Sequence, residues 1–146
     1  MTDLKLLALD SEDLDVISAT TQDAVVRVSD IGYAKSDGLF AMLMNRFAWE
    51  DGDGRGKGIR KRAGLHFSRV TAVAAAGIDL NAQEGVLELL DIRFLPDDDP
   101  PSGTIELRFA GGGTIRLTVE CIEARLQDFG AAWAAKARPV HALDKA

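Results

Sequence analysis

The stretch Gly103-Thr-Ile-Glu-Leu-Arg-Phe-Ala-Gly-Gly-Gly-Thr-Ile-Arg-Leu-Thr-Val-Glu120 decides what kind of fold this chain can adopt. Ile105, Leu107 and Phe109 alternate with Thr104, Glu106 and Arg108, and Ile115, Leu117 and Val119 alternate with Thr114, Arg116 and Thr118. Period two gives each strand one buried face and one face near water. Gly111-Gly112-Gly113 supplies the positive φ angles of a tight hairpin. Beyond it, Ile122, Leu126, Phe129 and Trp133 follow at helical spacing, with Gly130 where a C-cap glycine would sit. The predicted unit is a hairpin followed by a C-terminal helix.

Working back along the chain, Leu4–Leu9 is expected as a short strand or extended arm. Asp10-Ser11-Glu12-Asp13 has a capping side chain and then acids that suit a helix N-terminus. Leu14, Ile17 and Thr21 share a face of that helix, which should end near Gln22 and Asp23. Ala24–Tyr33 is strand-like, Lys35-Ser-Asp-Gly38 is a turn, and Leu39–Trp49 is a long strand. Both faces of that strand are apolar: Leu39, Leu43, Phe47 and Trp49 on one, Phe40, Met42 and Met44 on the other. Such a strand needs cover on both sides, from this chain or from another. Arg60–Ala76 holds two further strands or one bent one, and Val86–Leu95 another, with Pro96–Ser102 a loop.

The expected fold class is α+β, mainly antiparallel β. It is a bent seven-stranded barrel or sandwich with an N-terminal helix, capped by a C-terminal helix. Its element order resembles the pleckstrin-homology superfold, which implies nothing about activity. Residues 1–146 read as a single domain, with 134–146 an irregular tail.

Composition excludes several classes. At 146 residues the chain has the size of one domain. It lacks an apolar run long enough for a membrane helix, and its start does not look like a secretory signal. One cysteine, Cys121, cannot form an internal disulfide and is expected as a small buried residue. A cytoplasmic location is expected. The net charge of −6 disfavours nucleic acid as a partner. Residues 51–70 nevertheless carry a net +4 between two regions of net −5.

The motifs that suggest chemistry fall short of it. Asp51-Gly-Asp-Gly54 opens like a calcium loop, but Arg62 stands where the bidentate Glu is needed. Gly56-Lys57 lacks the earlier glycine and the following Ser or Thr of a phosphate loop. Neither metal-ligand spacing nor a serine-nucleophile elbow is present, and no cofactor or metal is expected. Arg55, Lys57, Arg60, Lys61 and Arg62 form a basic cluster that suits an anion or acidic partner, or merely a solvated loop. Arg46, Trp49 and Glu50 combine anchor residue types at a strand end, although Arg46 could simply pair with a neighbouring acid. Alternation points His66 away from Leu65 and Phe67. The candidate binding residues are therefore Arg46, Trp49, Glu50, Arg60, Lys61, Arg62 and His66; catalytic residues remain unassigned.

Leu14-Asp-Val-Ile-Ser18, Gln22–Ile31, Asn45-Arg-Phe-Ala-Trp-Glu50, Arg62-Ala-Gly-Leu-His-Phe67, Gly103–Gly130 and Arg138-Pro-Val-His141 together resemble an uncharacterised alphaproteobacterial family of unknown function. The resemblance spans nearly the whole chain and matches least at Asp51–Gly58. It implies no activity and no catalytic residues, only a cytoplasmic housekeeping setting. The leading expectation is a non-enzymatic binding or adaptor domain acting through a protein partner or a second copy. The alternative is a small-anion or metabolite-binding protein, or an enzyme, using Arg60, Arg62 and His66.

Overall fold

A computed structural model describes residues 4–48 and 59–129. Strands β1 (Lys5–Ala8), β2 (Val25–Arg27), β3 (Ile31–Ala34), β4 (Leu39–Ala48), β5 (Ile59–Phe67), β6 (Val70–Ala76), β7 (Val86–Pro96), β8 (Gly103–Phe109), β9 (Thr114–Val119) and β10 (Ala124–Asp128) accompany one helix, α1 (Ser11–Thr20). All pairings are antiparallel. The order across the sheet is β1-β10-β5-β4-β2-β7-β8-β9-β6, with β3 also on β4. Short β2 joins the two halves, pairing with β4 at Val25↔Asn45 and with β7 along its length.

Two expectations about architecture are overturned. The sheet is open, ending at β1 and β6, and has ten strands rather than seven in a barrel. The segment expected as a C-terminal helix is instead strand β10, so the described residues contain no helix after α1. Ile122, Ala124, Leu126 and Asp128 are all buried, while Arg125 and Gln127 are exposed. A spacing of four, as from Ile122 to Leu126, satisfies a period-two row as well as a helical stripe. Phe129 is out of phase with that row and belongs to the opposite face. Gly130, Trp133, the tail 134–146 and the loop through Asp51–Gly58 lie outside the described residues.

The helix that covers the core comes from the other end of the sequence. Asp10 accepts a hydrogen bond from the Asp13 N–H at 2.8 Å, as an N-cap should. Leu14, Ile17 and Thr21 are buried, and the Thr21 hydroxyl donates to the Ile17 carbonyl. The buried faces of both half-sheets and α1 share one apolar cluster, including Phe40, Met42, Met44, Leu65, Phe67, Leu89, Ile105, Leu107, Phe109, Ile115 and Leu117.

The β8–β9 hairpin forms as read, with Gly111 and Gly112 at φ +89° and +94°. Ala24–Tyr33 becomes two strands, because a 3-10 turn at Val28–Asp30 interrupts it. Cys121 is half-buried in the turn before β10, more open than its apolar neighbour Ile122 suggested. At the free edge, β6 runs from Val70 to Ala76 without a charged residue, and most of it is exposed.

Candidate functional site

The strand registers sort the candidate residues onto two faces. On β4, Phe40, Met42, Met44, Arg46 and Ala48 point inward and are buried. Leu39, Ala41, Leu43, Asn45 and Phe47 therefore point outward. Through the pairs Asn45↔Arg62, Phe47↔Arg60 and Ala41↔His66, β5 turns Arg60, Arg62, Gly64 and His66 outward. Arg46↔Lys61 is an inward pair, so Lys61 is buried while both neighbouring arginines face out. The basic run is thus divided by the pleat.

The inward cluster is structural. Arg46 is fully buried and donates from Nε and Nη2 to the two carboxylate oxygens of Asp128, both at 2.7 Å. Asp128 also accepts from the Leu4 N–H at 3.0 Å and so ties β10 to the start of β1. Burial alone would push the Asp128 carboxyl up. The Arg46 and Leu4 hydrogen bonds, with the charges of Arg46 and Lys61, outweigh it and hold the carboxyl below its ordinary value. The pairing of Arg46 with an acid is met by a residue that the helical reading had concealed. Its signal was present: Arg46 continues the inward row of β4, and Asp128 continues the inward row of Ile122, Ala124 and Leu126.

The outward side is different. Register places Lys5 and Leu7 of β1 beside Gln127 and Arg125 of β10, and Arg125 beside His66. A groove of about 540 Å³ lies on this side, lined in part by Asp30, Ile31, Leu43, Gly64, His66 and Phe129. The Phe129 ring lies across Gly64: a Cβ there would sit 3.1 Å from Phe129 Cζ and 3.7 Å from Leu43 Cδ2. Gly64 is therefore the position that lets an apolar floor form between the basic residues.

Arg62 pairs with Asp30 at 3.3 Å at one end of this floor. Arg60 lies over the Phe47 ring, 4.9 Å from its centroid, and donates to the Asn45 carbonyl. At the other end, burial lowers the His66 pKa and the charge of Arg125 lowers it further, against a smaller opposing effect of Glu123. Among the described residues Lys5, Arg60 and Arg125 make no ion pair, and all three are exposed. The outward rows of β1, β4, β5 and β10 thus carry Lys5, Arg60, Arg62 and Arg125 and no carboxylate.

The outward face of the other half neutralises itself. Glu106 accepts from Arg93 at 2.7 Å and Arg116 at 3.0 Å across three strands. Those two hydrogen bonds lead the causes that hold its carboxyl below the ordinary range. Arg108 and Asp91 form a further two-bonded pair. On one half-sheet the Glu106 and Asp91 carboxylates are each met by arginines, and the other half places cations around an apolar floor.

Trp49 and Glu50 lie outside the described residues. Sequence reasoning missed Arg125 and Phe129, assigned to a helix, and Asp30. Among the described residues no cluster of His, Cys, Asp or Glu could hold a metal. No helix is long and apolar enough to cross a membrane, again among those residues.

The fold and this face define an open antiparallel β-sheet domain with one cationic, partly apolar surface. The chain belongs to the family described as protein of unknown function (DUF2948), which it matches over residues 4–141. No curated protein and no solved structure matches it.

Proposed function

We propose that this chain is a protein-binding domain that receives an acidic partner on the outward face of β3, β4, β5 and β10. The asymmetry between the two half-sheets carries this reading. Among the described residues Arg60 and Arg125 are exposed and make no ion pair, on a protein of net charge −6. An unmatched positive surface on an acidic chain favours encounter with negative partners. The apolar floor of Leu43 and Phe129 adds desolvation that a merely solvated basic loop would lack.

A photo-crosslinking side chain placed at Gln127, exposed on the same face, tests the reading in the cells that make the protein. Adducts to an identified acidic protein are expected from Gln127, absent from Thr118 on the other half, and lost with Arg60→Glu and Arg125→Glu together. Equal adducts from both positions, or none from Gln127, would remove the proposal. Thermal stabilisation by inorganic phosphate or a small dicarboxylate, without any protein adduct, would replace the partner with a small anion.

A further inference from the structure

We infer that the part of the partner seated on this face is an extended segment of about six residues, acidic at both ends and apolar between, where six extended residues span roughly 20 Å. This rests on the reading of the face as a binding surface. The dimensions follow from β5. Arg60 and His66 stand six positions apart on its outward row, or roughly 20 Å at about 3.3 Å per residue. Arg125 stands beside His66 and supplies the positive charge at that end.

The order of groups along this line fixes the chemistry. Arg60 comes first, exposed over the Phe47 ring and without an ion pair among the described residues. Arg62 follows, already held by Asp30. The ring of Phe129 over Gly64, with Leu43 alongside, then makes an apolar middle. His66 and exposed Arg125 close the other end. Arginine at both ends can take carboxylates through two parallel hydrogen bonds. A uniform polyanion fits this order poorly, because its middle charges would lie on the apolar floor next to Asp30. The acidic balance of the whole chain also opposes a nucleic-acid backbone. The exposed Asp97-Asp-Asp99 loop of a second copy is a poor match too. It is a turn closed by bonds from Ser102 to Asp97, and it has no apolar residue among its acids.

Fully randomised peptides displayed on phage and selected on the complete chain provide the test. The expected winners share carboxylates at two positions separated by a short apolar stretch. A labelled winner, followed by fluorescence anisotropy, should bind roughly tenfold more weakly to Arg60→Glu and to Arg125→Glu, the factor that equals about 1.4 kcal/mol. Thr118→Glu should change nothing. Both arginines are exposed, so the variants should keep the wild-type circular dichroism and melting temperature. Winners without acids, no winners, or equal loss with Thr118→Glu would overturn the inference. So would tighter binding of a labelled oligothymidine than of the peptide. If the crosslink from Gln127 persists while the winners lack acids, only the segment's chemistry is wrong. If the crosslink also fails, the face is not a binding surface.

Discussion

Asp128→Asn would remove one charge from the interior while nearly preserving shape. Arg46 and Asp128 have fully buried side chains joined by two bonds of 2.7 Å. After the change, the Arg46 guanidinium keeps its place but loses the carboxylate it faces. Its cross-strand neighbour on the same side is another cation, Lys61. Removing one member of a buried pair costs about 3–5 kcal/mol. Total stability for such domains is about 5–15 kcal/mol, so the variant should be severely weakened. Urea unfolding followed by far-ultraviolet circular dichroism, with linear extrapolation, measures the loss. The double change Arg46→Met with Asp128→Leu should recover most of it, because apolar replacements of both members are often neutral or better. A loss of under about 1 kcal/mol in the single variant would refute the reasoning, since the pair would then carry far less than buried pairs do.

Leu126→Ala should cost about 2–5 kcal/mol in the same assay, since Leu126 is buried at an inward position of β10. Asp10→Ala should cost about 1 kcal/mol through loss of the α1 cap, with a matching fall in melting temperature. Acid should unfold the protein partly through Asp128 and Glu106, whose native carboxyls sit below their ordinary values of 3.8 and 4.5. That stability is present above those values and is lost as pH falls through the lower native ones, so urea midpoints of Asp128→Asn should vary less with acid than those of the wild type. His66 acts at milder pH. Its native pKa lies below 6.5, so the unfolded chain takes up the proton first and stability drops as pH falls through that value. His66→Gln should flatten the slope there.

The sequence was most legible where one pattern fitted one element. The alternation in β8 and β9 with three glycines between them admitted only a hairpin, and the Asp10 cap with Leu14, Ile17 and Thr21 admitted only a helix of that length. It was least legible at residues 122–129. There Ile122 and Leu126 satisfy both periods, and the residue that separates them, Asp128, is polar and escapes an apolar count. Reading that element as a helix also hid the site, because Phe129 lines the groove and Arg125 stands beside His66 only if β10 lies beside β5. Likewise the run Arg60-Lys-Arg62 looks like one basic patch until the pleat sends Lys61 inward. The open edges were hidden for another reason: strand order is set by pairings across long separations that no local pattern records.

The position of β10 between β1 and β5 has a consequence for how the protein is made. Leu4 and Asp128 exchange backbone and side-chain hydrogen bonds across 124 residues of sequence. The first strand leaves the ribosome with no neighbour to pair with, and β5 emerges with one flank open, until the far end of the domain has been synthesised. Strand β1 and one edge of β5 must therefore wait for translation of β10, exposing strand edges to chaperones in the interval. Refolding of the finished chain should be correspondingly slow, on the order of milliseconds to seconds, as for other β proteins dominated by distant pairings.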